Sequence, residues 1–244
     1  MSRVAGTRDR LIAAAEELFA ANGIQAVSLR EIVRASGARN TAALQYHFGD
    51  RAGLVRAVLE KHHLDVDTRR HAMLDGYEAA GESDLHALAS ALVQPLAAKL
   101  ADAGGGPAYL QILAELMNRP TPALDPATFD DPEDSMFRWR ALVAPLLSED
   151  AVRLHRRFVA YRFAVVELAR RADGAPHTDD RLFVSHLVDL VGAILAAPPS
   201  AHTVRLKAAR DAAHARSSEL TAGVEASRHA ATEDAAEFSP TRRS

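Results

Sequence analysis

Apolar residues recur at helical spacing from Leu11 to Leu195, and the polar residues between them mark where each helix starts and stops. The first predicted helix runs from Thr7 to Asn22 with Leu11, Ala15, Leu18 and Phe19 on one face, Thr7 as its cap and Asn22-Gly23 closing it. Ser28 then reads as an N-cap, and Glu31 three residues on completes a capping box. Leu29, Ile32 and Val33 give the following helix its apolar face up to Ser36, and Gly37 supplies the positive φ of a tight reversal. A second short helix runs from Asn40 or Thr41 to Phe48, with Leu44 and Phe48 inward, Ala42, Gln45 and Tyr46 outward and His47 on the flank. Gly49 breaks it. Two short helices across a Gly turn, the second presenting polar groups, is the helix-turn-helix plan.

Asp50 caps a fourth helix that opens with Arg51 and continues past Glu60 towards Tyr77, long enough to join this head to a second domain. From Ser83 the pattern is a helical body. Leu85 to Leu100 predicts one amphipathic helix ended by Gly104-Gly105-Gly106, and Pro107 opens another to Asn118. Arg119 to Asp131 holds three prolines and no periodicity, which predicts a loop. A helix follows from near Pro132 until Pro145 kinks or ends it; Ser148 caps one to Ala172, and Thr178 caps one stopped by Pro198-Pro199. Residues 199–244 are alanine-rich and polar without a large apolar face, so we expect a mobile tail with transient helix. The expected class is all-α: a head over 1–50, a helical domain over 51–198 with helix 4 as connector, and the 199–244 tail.

Composition adds limits. Hydrophobic residues make 48% of the chain, many of them alanine, and aromatics only 5%, which favours helices over sheets. The absence of cysteine excludes a disulfide frame and thiolate chemistry, and suits a reducing cytoplasm. The net charge is −3, yet residues 1–61 carry nine Lys/Arg against six Asp/Glu, so a modestly basic head precedes an acidic body. We find no signal-peptide pattern and no apolar run long enough to cross a membrane, and expect a cytoplasmic, nucleoid-associated protein. The glycine run lacks a following Gly-Lys-Ser/Thr, so it is not a phosphate loop. His63, Asp67 and His71 share a helix face and can in principle hold a metal, but a solvated face explains them equally well; no metal and no cofactor are expected.

The stretch from Ser28 to Leu54 resembles the DNA-binding domain of the TetR family of bacterial transcription regulators. The resemblance rests on the order and spacing of Ser28, Arg30, Ile32, Gly37, Leu44, Tyr46, His47, Phe48, Arg51 and Leu54, and covers about Thr7 to Leu59. One more residue stands between Gly37 and Phe48 than in the commonest family pattern, and we place it in the turn near Arg39 and Asn40. The resemblance implies a homodimer reading a palindromic operator, usually as a repressor, with a small apolar effector releasing it. By resemblance and by the outward face, Thr41, Ala42 and Gln45 would meet base edges. Arg30 would reach a guanine or a phosphate, and Tyr46, His47 and Arg51 would bind phosphates; alternatively Tyr46 and His47 finish the local core and Arg51 is a solvated charge. Leu182, Phe183, Leu187, Leu190 and Leu195 are candidates for a dimer seam across the last two helices, the alternative being packing inside one subunit. Tyr109, Met117, Phe137, Trp139, Phe158 and Tyr161 are candidates for lining an apolar effector pocket.

Two other classes compete with this reading. An enzyme using His63, Asp67 and His71, or Glu115 with Asp134, lacks a nucleophile elbow, an HExxH motif or paired-carboxylate spacing, so none is expected. A helical interaction protein that has lost DNA binding is opposed by the polar and basic residues facing outward on the head.

Overall fold

The second, third and fourth helices of the head each begin where a side chain takes up an orphan amide, and the first does not. The computed structural model describes residues 6–38, 40, 42–81, 83–119, 131–174 and 178–216. The expected proline loop at 120–130, Arg39, Thr41 and the end of the expected tail at 217–244 lie outside these residues. Helix α1 (Thr7–Asn22) has Gly6, not Thr7, at its N-cap; the Thr7 hydroxyl instead accepts from Arg10 Nη2 at 3.3 Å. Helix α2 (Leu29–Ala35) carries the full capping box: Glu31 N–H donates to Ser28 Oγ at 3.2 Å, and Ser28 N–H to Glu31 Oε2 at 2.7 Å. Gly37 follows at φ 69°, as the reversal needs. Helix α3 spans Ala42–Phe48, and α4 spans Arg51–Ala80 with Asp50 Oδ1 accepting from Gly53 N at 2.8 Å. At 30 residues α4 is about 45 Å long.

Body helices depart from the expected boundaries for identifiable reasons. Helix α5 (Leu85–Ala97) passes into a 3₁₀ turn over Ala98–Ala101 instead of running on as α-helix to the glycines. Pro95 lies inside α5 and has no N–H for the carbonyl of Ala91; the buried guanidinium of Arg70 takes it, Nε donating at 3.2 Å. Helix α6 is Gly106–Met117. Helix α7 (Ser135–Val143) starts three residues later than expected because Asp134 caps it, and it gives way to a 3₁₀ turn at Pro145. The single helix expected from Ser148 is two, α8 (Glu149–Arg153) and α9 (Arg156–Asp173), broken at His155 with φ 53°. Beyond the break Arg157 Nη1 donates to the Arg140 carbonyl and Arg156 to those of Ile194 and Ala197, so the missing helical bonds are set against new ties to α7 and to the end of α10. Helix α10 (Arg181–Ala196) is entered through Asp179, whose Oδ1 accepts from Arg181 N at 2.9 Å; Thr178 is not its cap.

Two cores result. In the head, Leu11, Phe19, Ile24, Ile32, Leu44, Leu54 and Val58 pack together, and Ile112 and Leu116 from α6 complete the cluster. Leu88, Leu92, Leu110, Trp139, Leu168, Val191 and Leu195 anchor the second. Helix α6 therefore has one face in each core, and the head draws on the first turns of α4 as well, beyond the boundary expected at residue 50. This compact unit ends at Ala197, and a second begins at Pro198. In the second unit Ala201–Arg216 forms helix α11, where the sequence pattern suggests only transient helix. Alanine-rich composition supplies the propensity, although Val204 and Leu206 stay exposed. No single helix among the described residues is long and apolar enough to cross a membrane.

A polar network crosses between the cores. Glu16 of α1, 2% exposed, pairs with Lys61 and His62 of α4. Lys99 joins Asp65 of α4 at 2.7 Å to Asp102 at 3.1 Å, and Lys61 also donates to the Gly104 carbonyl at 2.6 Å. The glycine run has its reason here. Gly105 sits at φ 103°, and a Cβ on it would come within 2.2 Å of a Glu16 oxygen.

Candidate nucleic-acid interface

Helix α3 is held by one buried side chain, Leu44, 2% exposed, with Phe48 partly buried behind it. Asn40 Oδ1 accepts from Ala43 N at 3.4 Å at its start. The rest of the helix faces outward: Ala42, Gln45, Tyr46 and His47 are all exposed, and Tyr46 is 86% exposed. The Tyr46 and His47 rings meet edge-on with centroids 5.1 Å apart. Neither completes the local core. Arg30, exposed on α2, has Glu31 as its neighbour, whose carboxyl is held below its ordinary value by the Ser28 amide and hydroxyl. Thr41, expected at a base edge, lies outside the described residues.

Arg51 is placed differently from a solvated charge. Its Nη1 donates to the Ile24 carbonyl and, at 2.6 Å, to the Val27 carbonyl, tying the start of α4 to the loop between α1 and α2. The sequence pattern carries no sign of this, because the two acceptors are backbone atoms 24 and 27 residues away. A further residue escapes the sequence reading on the same side. Arg8, in the first turn of α1, lies over the Phe48 ring at 5.6 Å and is exposed beside α3. Its only sequence signal is its position ahead of the apolar face.

The body candidates separate by burial. Tyr109, Met117 and Trp139 are buried, and Tyr161 is half-buried. Burial pushes the Tyr109 and Tyr161 hydroxyls above their ordinary values, with Arg70 opposing the shift in both. Tyr109 stacks on His62 with ring centroids 4.8 Å apart, and Trp139 Nε1 donates to the Leu88 carbonyl at 2.8 Å. Phe137 and Phe158, in contrast, are 38% and 51% exposed. The seam candidates divide likewise. Leu187 and Leu195 are buried inside the protomer, Phe183 is half-buried under the Arg171 guanidinium, and Leu182 and Leu190 are exposed, Leu182 at 84%.

The segment that builds this head, residues 11–58, matches the family model described as bacterial regulatory proteins, tetR family. This head is similar to that of the tetR family. The matched segment runs from the first buried leucine of α1 to Val58, the α4 residue that closes the head core, and so contains α2 and α3 whole. The matched head is a helix-turn-helix with α3 as its exposed second helix. No curated protein matches the chain. Solved structures similar to it include AmtR of Mycobacterium smegmatis, 18% identical over 82% of this chain and 90% of that one, with a TM-score of 0.49. NalD of Pseudomonas aeruginosa is 20% identical over 78% and 96%, with a TM-score of 0.45. A regulator from Rhodococcus sp. is 17% identical over 78% and 98%, with a TM-score of 0.42.

Proposed function

We propose that this protein is a homodimeric repressor of the tetR family that binds a palindromic operator through α3 and is released by a small-molecule effector. The observation that carries it is the outward face of α3. Ala42, Gln45, Tyr46 and His47, all exposed on this seven-residue helix, present together the hydrogen-bonding groups and the methyl that base edges and phosphates take. On DNA, Gln45 pairs with adenine through two bonds and Ala42 packs on a thymine methyl, with Thr41 at the neighbouring edge. Tyr46, His47 and Arg30 hold phosphates, which sets register without reading sequence. Arg51 has one guanidinium nitrogen committed to the loop before α2, and the rest of the group is offered to a phosphate at the start of α4.

One seven-residue helix reads too few bases for useful specificity. A two-fold pair of heads, placing two copies of α3 in major grooves ~34–36 Å apart, supplies it. The exposed leucines of α10, Leu182 and Leu190, are the proposed seam. Tyr109, Met117, Trp139 and Tyr161 surround the region of the body where an effector would act, by binding one orientation of α4 better than the other.

The test is selection of binding sites from random duplex DNA with the purified protein, followed by salt titrations of variants. A palindrome is expected to enrich. Tyr46→Ala with His47→Ala should weaken binding to every sequence, and Arg30→Ala should in addition reduce the slope of log K against log salt by about one. Gln45→Ala should relax base preference and leave the slope unchanged. Wild-type affinity in the double variant would refute the docking.

A further inference from the structure

Helix α4 and the start of α7 bring together three side chains that no feature of the DNA-binding head requires. His63 and Asp67 lie one turn apart on α4, Asp134 is the cap of α7, and one ligand-type atom from each falls within 4.8 Å of the other two. His63 Nε2 stands 3.3 Å from Asp134 Oδ2. Two tetrahedral zinc ligands at ~2.0–2.1 Å from the ion are separated by about 3.3 Å.

Both carboxylates are already oriented by their other oxygen. Asp67 Oδ1 accepts from Ser135 N at 2.8 Å and Asp134 Oδ1 from Met136 N at 2.6 Å, so two amides at the start of α7 fix both groups. Ligand carboxylates are typically held in this way by a supporting shell. Asp134 is buried, Asp67 half-buried and His63 exposed, which leaves one side open to solvent as an entry path. His71, one turn beyond Asp67, has Nε2 3.1 Å from the Glu133 carbonyl and 3.6 Å from Asp67 Oδ2, and Arg138 Nη1 donates to Nδ1 at 3.3 Å, so its ring is held by α7 and flanks the site. The nearest buried cation, Arg70, is held by the Ala91 carbonyl and, at 3.0 Å, by Ser135 Oγ.

We propose that His63, Asp67 and Asp134 form a binding site for a first-row divalent transition metal of the zinc class, with water completing the coordination. The imidazole in the set selects against magnesium and calcium, which take oxygen ligands. An ion there joins α4, the rod that carries the head, directly to α7 of the body.

The experiment uses the full chain, stripped with a chelator and titrated with Zn²⁺ by calorimetry, with Co²⁺ absorption as a second readout. DNA is absent, so the result is independent of the operator reading. One saturable site per chain is expected, weakened at least 10-fold by His63→Ala and by Asp134→Asn and unchanged by His71→Gln. Asparagine is itself a good N-cap, so Asp134→Asn keeps α7, and His63 is exposed, so its loss leaves folding intact. Circular dichroism and the melting temperature verify both variants. The chain has 11 histidines, so binding that survives His63→Ala would place the metal elsewhere and overturn the proposal. The absence of saturable binding, or loss of it in His71→Gln but not His63→Ala, would overturn it equally.

Discussion

Arg51 shows how a residue's position can be legible while its work is not. Its place at the start of a helix after Gly49-Asp50 is plain in the sequence, and its resemblance-based role is on DNA. Its Nη1 instead closes the Ile24–Val27 loop from within. Arg51→Met keeps the stem and removes the donor, leaving two carbonyls unpaired in a partly buried site. The expected loss is about 1–3 kcal/mol, read from urea unfolding of the apo-protein. A purely phosphate-binding arginine would leave that stability unmoved. Leu44, Gln45 and Tyr46 lie on the inner and outer faces that the sequence assigns them, because helical periodicity alone settles which side of a short helix a residue occupies. Leu187 and Leu195 are buried within the protomer, which periodicity could not say, because it does not tell whether an apolar face meets its own chain or another.

At the level of elements, caps are more legible than ends. Ser28 with Glu31, and Asp50, stand out because their partners are within three residues. The Asp134 cap is as local, Oδ1 accepting from Met136 N, whereas the His155 break goes with ties from Arg156 and Arg157 to carbonyls 17 to 41 residues away. Two predictions belong here. The Glu31 carboxyl sits below its ordinary value, chiefly through the Ser28 amide, so the capping box is intact above the ordinary carboxylate range and lost as pH falls through the lowered value. Glu31→Gln keeps an acceptor for Ser28 N–H but removes the titration, and the pH dependence of the Ser28 amide resonance should then disappear. Arg70 and Pro95 should be coupled. Arg70→Met strands the Ala91 carbonyl that Pro95 already leaves without a helical donor, at a cost of about 1–3 kcal/mol. Pro95→Ala restores an N–H there, so the double variant should recover part of the loss, and additive costs in denaturant melts would refute the link.

For the whole molecule, the fold class and the order of helices can be read from the sequence, since each helix carries its own amphipathic stripe. How the helices share cores cannot. The oligomeric state is the prediction at this scale. Leu182 and Leu190 are large, apolar and exposed on α10. Changing both to arginine should convert a dimer to a monomer by sedimentation; replacing Leu182, 84% exposed, should cost the monomer little stability, and replacing Leu190, 38% exposed, somewhat more. A wild-type that sediments as a monomer would remove the seam, and with it the palindrome.

Ile112 and Leu116 of α6 pack among the head's own residues, and Glu115 between them accepts the Ile24 amide at 2.9 Å. The head is therefore not a detachable module. A chimaera grafted at residue 50, exchanging this reader for another's, would inherit a socket shaped for a different pair of apolar side chains and a carboxylate with no amide to meet. Under the proposed function, changing base preference calls for rewriting the outer face of α3 in place rather than transplanting the head.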